Sequence, residues 1–510
     1  MVAPREIELK LVLAEGQAAR VPLAPPLAGI PGHRARFVAF YFDTPDHALA
    51  KRQLGLRLRR SASTWRATLK AGGTSTAGLH DRPEWEFPAS GPRLDLSRFT
   101  ATPLADVPGA ATLHERLAPV LVTEFVRTTW RLEPAPGCRV EVALDVGRIL
   151  AAGREARIEE VEIELLEGDA LAAFDLAEVL ATTVAMRPEP ASKLARGLEL
   201  AGAARPRPVR APRVDLSPAG DDARAAARIA VAAALAHGQA NEAGVLASAD
   251  IEFVHQLRVS LRRLRSALRL FERAIDPADT APFAEDLRWA AKALGACRDW
   301  DVFVTETLPA LLAAQGDAIE AKRVLRRARA RQRDARRAAR EALASSRYGL
   351  AMLRVARWLS SAPGEPPPET PDMKELASAC LRKGARRVAA GERTFATLDA
   401  QARHALRIRV KRHRYAVEFL GGLFRRKEAS RHARRLARAQ EDLGVANDCA
   451  TAFAHVRELD PSPRFLAFAQ GWFAAREVSS IERAAGSLAR AAALRRFWRK
   501  KPDPEPAPAP

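Results

Sequence analysis

The chain has 510 residues, 47% of them hydrophobic, and a formal net charge of +21. That length allows several cores and two or three domains. The absence of any run of 18 uncharged apolar residues excludes a membrane-spanning helix, and four widely spaced cysteines (Cys138, Cys297, Cys380, Cys449) with no CxxC exclude a zinc site or disulfide framework.

Glu6 and Glu8 stand where a signal peptide needs an apolar core, so a cytoplasmic location is expected. Over residues 1–200, short segments alternate polar and apolar residues with period two, the pattern of β-strands. REIELKLVL puts Glu6, Glu8 and Lys10 on one face. The next segments do the same with Arg57 and Arg59, then Arg66, Thr68 and Lys70, then Arg82, Glu84 and Glu86. They are followed by Arg127, Thr129 and Arg131, by Glu141 and Asp145, and by Glu160, Glu162 and Glu164. DLAEVLATTVA reads as a helix near the end of this half. One charged strand face is ordinarily solvated, but seven in one domain are not readily explained that way. A closed barrel turns them inward, where carboxylates hold hard cations and arginine forks grip phosphate.

ARPRPVRAPRVDLSP (204–218) has no apolar period and reads as an extended linker. It implies few contacts across the boundary, so residues 1–200 are expected to act alone. ARIAVAAALAHG is a helix with a glycine stop at Gly238. In HQLRVSLRRLRSALRLF, His255, Arg258, Arg262, Arg265 and Arg269 form one stripe beside Leu257, Leu261, Leu264 and Leu268. Adjacent cations disfavour a helix, so this stripe is not there for helix stability. AKRVLRRARARQRDARRAAREAL is a long basic helix expected to face solvent. SAPGEPPPETPD (361–372) then separates a second copy, HALRIRVKRHRYAVEFL, with His404, Arg407, Lys411 and Arg414 in the same stripe. The proline-rich C-terminus is expected to be disordered.

The copies share a register. His255 and His404, Leu294-Gly295 and Leu443-Gly444, and Asp299 and Asp448 are all 149 residues apart, which indicates duplication of a helical bundle. Charge follows the same division. Residues 1–200 hold 25 basic and 26 acidic side chains, and the remainder holds 57 and 35. The helical half therefore attracts polyanions. Its stripes carry almost no aromatic residue beyond Tyr415, which disfavours nucleic acid.

EIELK matches the ExExK signature of CYTH domains, the triphosphate tunnel metalloenzymes. YFDTPDHALAKRQLGLRLRR, TLKAGG, GLHDRPEWEF, FVRTTW, VEVALDVG, EEVEIELLEGD and ASKLARGLEL follow in the family's order. VHQLRVSLRRLRSALRLF, LGACRDWDVF, HALRIRVKRHRYAVEFL and LGVANDCA resemble CHAD domains, and the order of the two resembles bacterial inorganic triphosphatases. The resemblance implies a multidomain chain. An α+β tunnel domain, an antiparallel eight-stranded barrel, occupies 1–203, and the linker 204–218. An all-α domain of duplicated helical bundles covers 219–490, in repeats 219–360 and 373–490, with a basic then proline-rich tail over 491–510. It implies Glu6, Glu8, Glu162 and Glu164 as catalytic and, with Asp145, as ligands of a divalent metal, magnesium first and manganese second. Lys10, Arg57, Arg59, Lys70, Arg82, Arg127 and Lys193 would contact inorganic triphosphate. The two basic stripes would bind polyphosphate, with no role at a membrane and a location at polyphosphate granules. Thiamine triphosphate hydrolysis, adenylate cyclisation and a non-catalytic granule protein are the alternatives.

Overall fold

A computed structural model describes residues 5–202, 207–362, 371–494 and 496–498. The first half is one antiparallel sheet of β1 (Arg5–Leu13), β2 (His33–Asp43), β3 (Gly55–Ser61), β4 (Thr64–Lys70), β5 (Thr74–Thr76), β6 (Leu79–Ala89), β7 (Ala118–Ala135), β8 (Cys138–Ala151), β9 (Arg154–Glu167) and β10 (Met186–Pro188). Its order is β10-β1-β9-β8-β7-β2-β3-β4-β6-β5, and β1 pairs with β6 as well as β9. That pairing closes eight strands into a barrel, with β5 and β10 as short additions.

Closure gives every strand an inner and an outer face. The inner faces carry most of the alternating charges, although Arg66 and Arg131 are exposed. Parts of the outer faces are also buried. Leu56, Leu58 and Leu69 pack against Phe99, Leu104 and Leu113. Leu9, Leu11, Val140, Val142, Val161 and Ile163 belong to the layer under α2 (Leu171–Ala181), and α2 and β10 in turn pack against the helical half.

The barrel also carries α1 (Leu113–Arg116) and α3 (Lys193–Ala201). The helical half consists of α4 (Ala223–Ala247), α5 (Ile251–Leu270), α6 (Pro277–Val302), α7 (Leu308–Gln315), α8 (Ala318–Leu343) and α9 (Ser346–Ser360). After the second proline-rich segment come α10 (Met373–Arg393), α11 (Ala400–Leu420), α12 (Arg426–Glu458) and α13 (Pro463–Ala492). The basic stripes fall on α5 and α11. On α8, Lys322, Arg326, Arg329 and Arg333 are exposed, as expected.

Three expectations are corrected. Gly238 does not stop α4, which runs on to Ala247. The glycine is needed for close helix packing, because a Cβ there would lie 2.6 Å from Ser260 Oγ. Residues 207–216 of the linker form neither helix nor strand, but they are not detached. Asn241 exchanges hydrogen bonds with the Val209 backbone, His237 Nε2 meets the same carbonyl at 3.0 Å, Arg263 donates to Pro212, and Leu216 is buried. Far from having few contacts, the halves share one hydrophobic core. At the tail, Phe497 and Trp498 are buried against His432, whereas residues 499–510 lie outside the described residues.

The shared core brings backbone onto backbone. A Cβ at Gly349 of α9 would lie 1.8 Å from the Met186 carbonyl oxygen of β10. Neither main chain can yield as a side chain does. Gly349→Ala should therefore destabilise the protein by about 1–3 kcal/mol, and thermal denaturation should show both halves losing stability together. A barrel transition unmoved by the substitution would contradict a shared core.

Candidate functional site

The barrel encloses a cavity of about 730 Å³. Among its lining residues are Glu6, Glu8, Lys10, Arg57, Arg59, Lys70, Arg82, Arg127, Glu162, Glu164 and Lys193. Every expected substrate-contacting side chain of the barrel thus faces one space. So do Glu84, Glu86 and Glu141, giving seven acidic and seven basic side chains. Tyr41 and His80 join the lining. Glu84 and Glu86 shared a sequence alternation with Arg82 that could have placed them in the site. Tyr41 and His80 gave no separate signal.

Lys10 stands between Glu8 and Glu162, 3.1 Å from each. Lys70 reaches Glu6 at 2.5 Å and Glu84 at 3.1 Å, and Arg82 bridges Glu6 and Glu8. Arg59 is 3.2 Å from Glu86, and Arg57 is 3.6 Å from Glu84. Burial alone would raise the Glu8 carboxyl. Lys10, with Lys70 and Arg82, instead holds it far below the ordinary range. Glu162 is likewise held well below that range against its burial by Lys10, Lys193 and Arg127.

Lys193 opens α3, which Ser192 caps. Its ammonium is 2.7 Å from Asp145 and 2.9 Å from Glu162, and it also pairs with Glu160. Arg127 grips Asp145 with two 2.7 Å hydrogen bonds. Asp145, Glu160 and Glu162 each bring an oxygen within 4.8 Å of the others, a spacing that could hold a metal. Here protein cations sit on all three. Asp145 is fully buried beneath the lining rather than part of it.

Glu164 differs. No cation lies within ion-pair distance of it among the described residues. Burial, with Glu6 and Glu8 nearby, pushes its carboxyl up to about 7. Carboxylates that repel one another on one side of a polar cavity are a donor set for a hard cation, which takes oxygen ligands. Glu6, Glu8 and Glu164 fit that description.

In the helical half the two copies meet. Arg258 lies over Gly295 and is 3.8 Å from Asp299, and Arg407 lies over Gly444 and is 3.7 Å from Asp448. Each glycine leaves room for its guanidinium, where a Cβ would come within 2.5 and 3.1 Å respectively. The shared register of the sequence is thus a repeated arginine notch. Burial, with Arg262, Arg407 and Arg258 around it, lowers Lys411 to about 8. Burial and Arg298 lower His255, adding an arginine not expected in the set. Arg265 feels Arg269 farther along α5, and His404 is exposed. Arg414 departs from the stripe. It pairs with Glu418 at 3.4 Å and stacks on Tyr415, so its charge is compensated. His413 is buried, with neither ring nitrogen hydrogen-bonded, and packs edge-on against His432.

Comparison with known proteins agrees with this division. Residues 4–198 match the CYTH domain and residues 229–457 the CHAD domain. An inorganic triphosphatase of Haemophilus influenzae is 34% identical over 202 residues, 38% of this chain and 54% of the relative, so the match spans about half the relative's length. An uncharacterized protein of Mycobacterium tuberculosis is 29% identical over 413 residues, 75% of each chain. The crystal structure of the CHAD domain from the plant Ricinus communis is 30% identical, covering 58% of this chain and 98% of its own, with a TM-score of 0.46. With these matches covering both the closed eight-stranded barrel of interleaved acids and bases and the duplicated helices with their paired arginine notches, the chain is a CYTH domain joined to a CHAD domain.

Proposed function

We propose that the barrel hydrolyses inorganic triphosphate or short-chain polyphosphate with a divalent metal, and that the helical half binds polyphosphate, in the cytoplasm at polyphosphate granules. The observation that carries the first part is the charge balance of the cavity. Seven acids and seven bases line it. With all ionised the walls are neutral overall, yet a triphosphate carries several negative charges. Bound divalent cations would supply the missing positive charge.

Glu6, Glu8 and Glu164 would hold the metal, magnesium first, with manganese also compatible, and Glu162 would join them as Lys10 turns from it to phosphate. When bound, it neutralises phosphate charge and lowers the pKa of an attacking water. Asp145 keeps Arg127 and Lys193 in place. Arg57, Arg59, Lys70 and Arg82 turn from Glu84, Glu86 and Glu6 to phosphate oxygens, which guanidinium forks match in geometry. Water adds to a terminal phosphorus and gives up a proton to solvent, the bridging P–O bond breaks, and phosphate and pyrophosphate leave. Tyr41 and Phe125 are the aromatic residues lining the cavity, and Arg127 and Lys193 approach the Phe125 ring. A base-stacking platform for ATP, or one for thiamine, is therefore disfavoured, which leaves inorganic triphosphate ahead of adenylate cyclisation and thiamine triphosphate hydrolysis. Phosphate release from triphosphate, ATP, thiamine triphosphate and long polyphosphate, measured side by side, tests the choice.

The double substitution Glu6→Gln and Glu8→Gln keeps size and removes charge. It should abolish phosphate release while circular dichroism stays unchanged. Full activity at saturating magnesium would remove β1 from the mechanism.

A carboxylate must lose its proton to hold a metal. With Glu164 raised to about 7, magnesium affinity should increase from pH 6 to pH 8, with proton release on binding. Calorimetry in buffers of different ionisation enthalpy reads that proton. A pH-independent affinity would place the metal away from Glu164.

Replacing Arg258, Arg262, Arg407 and Lys411 with alanine removes four of 57 basic residues from the helical half. General attraction should change little, whereas polyphosphate binding at physiological salt should collapse. The parent's affinity should fall steeply with salt and also as pH rises through about 8, where Lys411 loses its charge. Unchanged binding by the quadruple variant would reduce the stripes to solvated helix faces.

A further inference from the structure

Residues 186–193 run from the domain interface into the tunnel. β10 pairs with β1, Arg187 opposite Val12. The Glu189 N–H then donates to the Lys10 carbonyl at 2.8 Å, and His80 Nε2 meets the Glu189 carbonyl at 3.4 Å. Four residues later comes Lys193, buried against Asp145 and Glu162. Pro188 and Pro190 lie within this strap and fix its φ angles, so it transmits displacement rather than absorbing it.

The helical half holds the other end. Arg187 Nε donates to Glu242 of α4 at 3.0 Å, and the Tyr348 hydroxyl of α9 donates to the other oxygen of the same carboxylate at 2.5 Å. Glu242 is 4% exposed and Tyr348 1%. Burial and Glu242 raise the Tyr348 phenol well above its ordinary range, so it stays protonated as a donor. Removing either partner would leave a buried group uncompensated and free Arg187 to move.

We infer that Glu242 and Tyr348 are positioning residues for the barrel site, setting through Arg187 and the strap where Lys193 and Lys10 stand in the tunnel. The inference rests on the tunnel reading above and deepens it. The tunnel's basic wall is held partly by a domain that contributes no side chain to it. An isolated fragment of residues 1–200 would lack that hold and bind triphosphate weakly.

The test uses the full-length protein with magnesium and triphosphate. Small displacements of binding groups remote from the reacting atoms lower kcat/KM by roughly tenfold or more. Glu242→Gln and Tyr348→Phe should each raise KM by about that factor with a smaller change in kcat. Glu242→Asp, which keeps the charge, should retain most of the parent's KM. Arg357→Ala, which breaks the more exposed Arg357–Asp175 pair at the same interface, should leave KM unchanged. A purely structural role would lower Tm and the folded fraction but not alter KM for the folded molecules. An unchanged KM in folded Glu242→Gln overturns the inference. If that variant does not fold, Tyr348→Phe, which lacks one hydroxyl, decides by the same measurement. A parent that releases no phosphate refutes the tunnel reading instead, and positioning is then read from magnesium–triphosphate affinity by calorimetry, where equal parent and variant affinities overturn it.

Discussion

Pairing of β1 with both β9 and β6 closes the sheet, and closure decides where charge can go. Once the strands form a ring, Glu6, Glu8 and Lys10 cannot turn to bulk water without carrying Leu9 and Leu11 out of a buried layer, because a one-residue slip exchanges the faces. The inward charges must then satisfy one another or a ligand, since an unpaired buried charge is costly. Lys10 between Glu8 and Glu162, and Lys193 among Asp145, Glu160 and Glu162, are what that requirement produces. Glu164 is left over, with its proton affinity raised to about 7. Chemistry and folding draw on the same alternation.

The helical half solves a related problem differently. α5 and α11 place like charges side by side, and the strain appears in Lys411, pushed down to about 8. Asp299 and Asp448 relieve part of it at each notch, and Glu418 neutralises Arg414. The two copies therefore share a plan while differing in how much free charge each presents.

Much of this was legible in the sequence. Period-two alternation of charge in EIELK, LGLRLRR and EEVEIELL gave both the strands and their inward faces, because strand geometry leaves no third choice. The offset of 149 anticipated the matched notches. Lys193 was different. It begins a helix instead of sitting in an alternating strand, so only the resemblance of ASKLARGLEL to CYTH domains pointed to it. The domain interface left no local trace. Arg187, Glu242 and Tyr348 are single residues far apart in the chain, and proline-rich composition near them suggested separation. The backbone at Val209 is in neither a helix nor a strand. The composition could not show that Asn241 and His237 would hold that backbone in place.

The contact between Gly349 and Met186 also bears on how the chain is made. During synthesis the barrel strands leave the ribosome before any helix of the second half exists. The outer face of α2, which lies over Leu9, Leu11 and Ile163, and the β10 surface beside it are covered only once α9 has emerged. Until then this apolar surface is open to other nascent chains or to a chaperone, which is the usual hazard of multidomain folding. Synthesis that stalled between α8 and α9 would release a chain with a closed barrel but a bare flank, prone to aggregate.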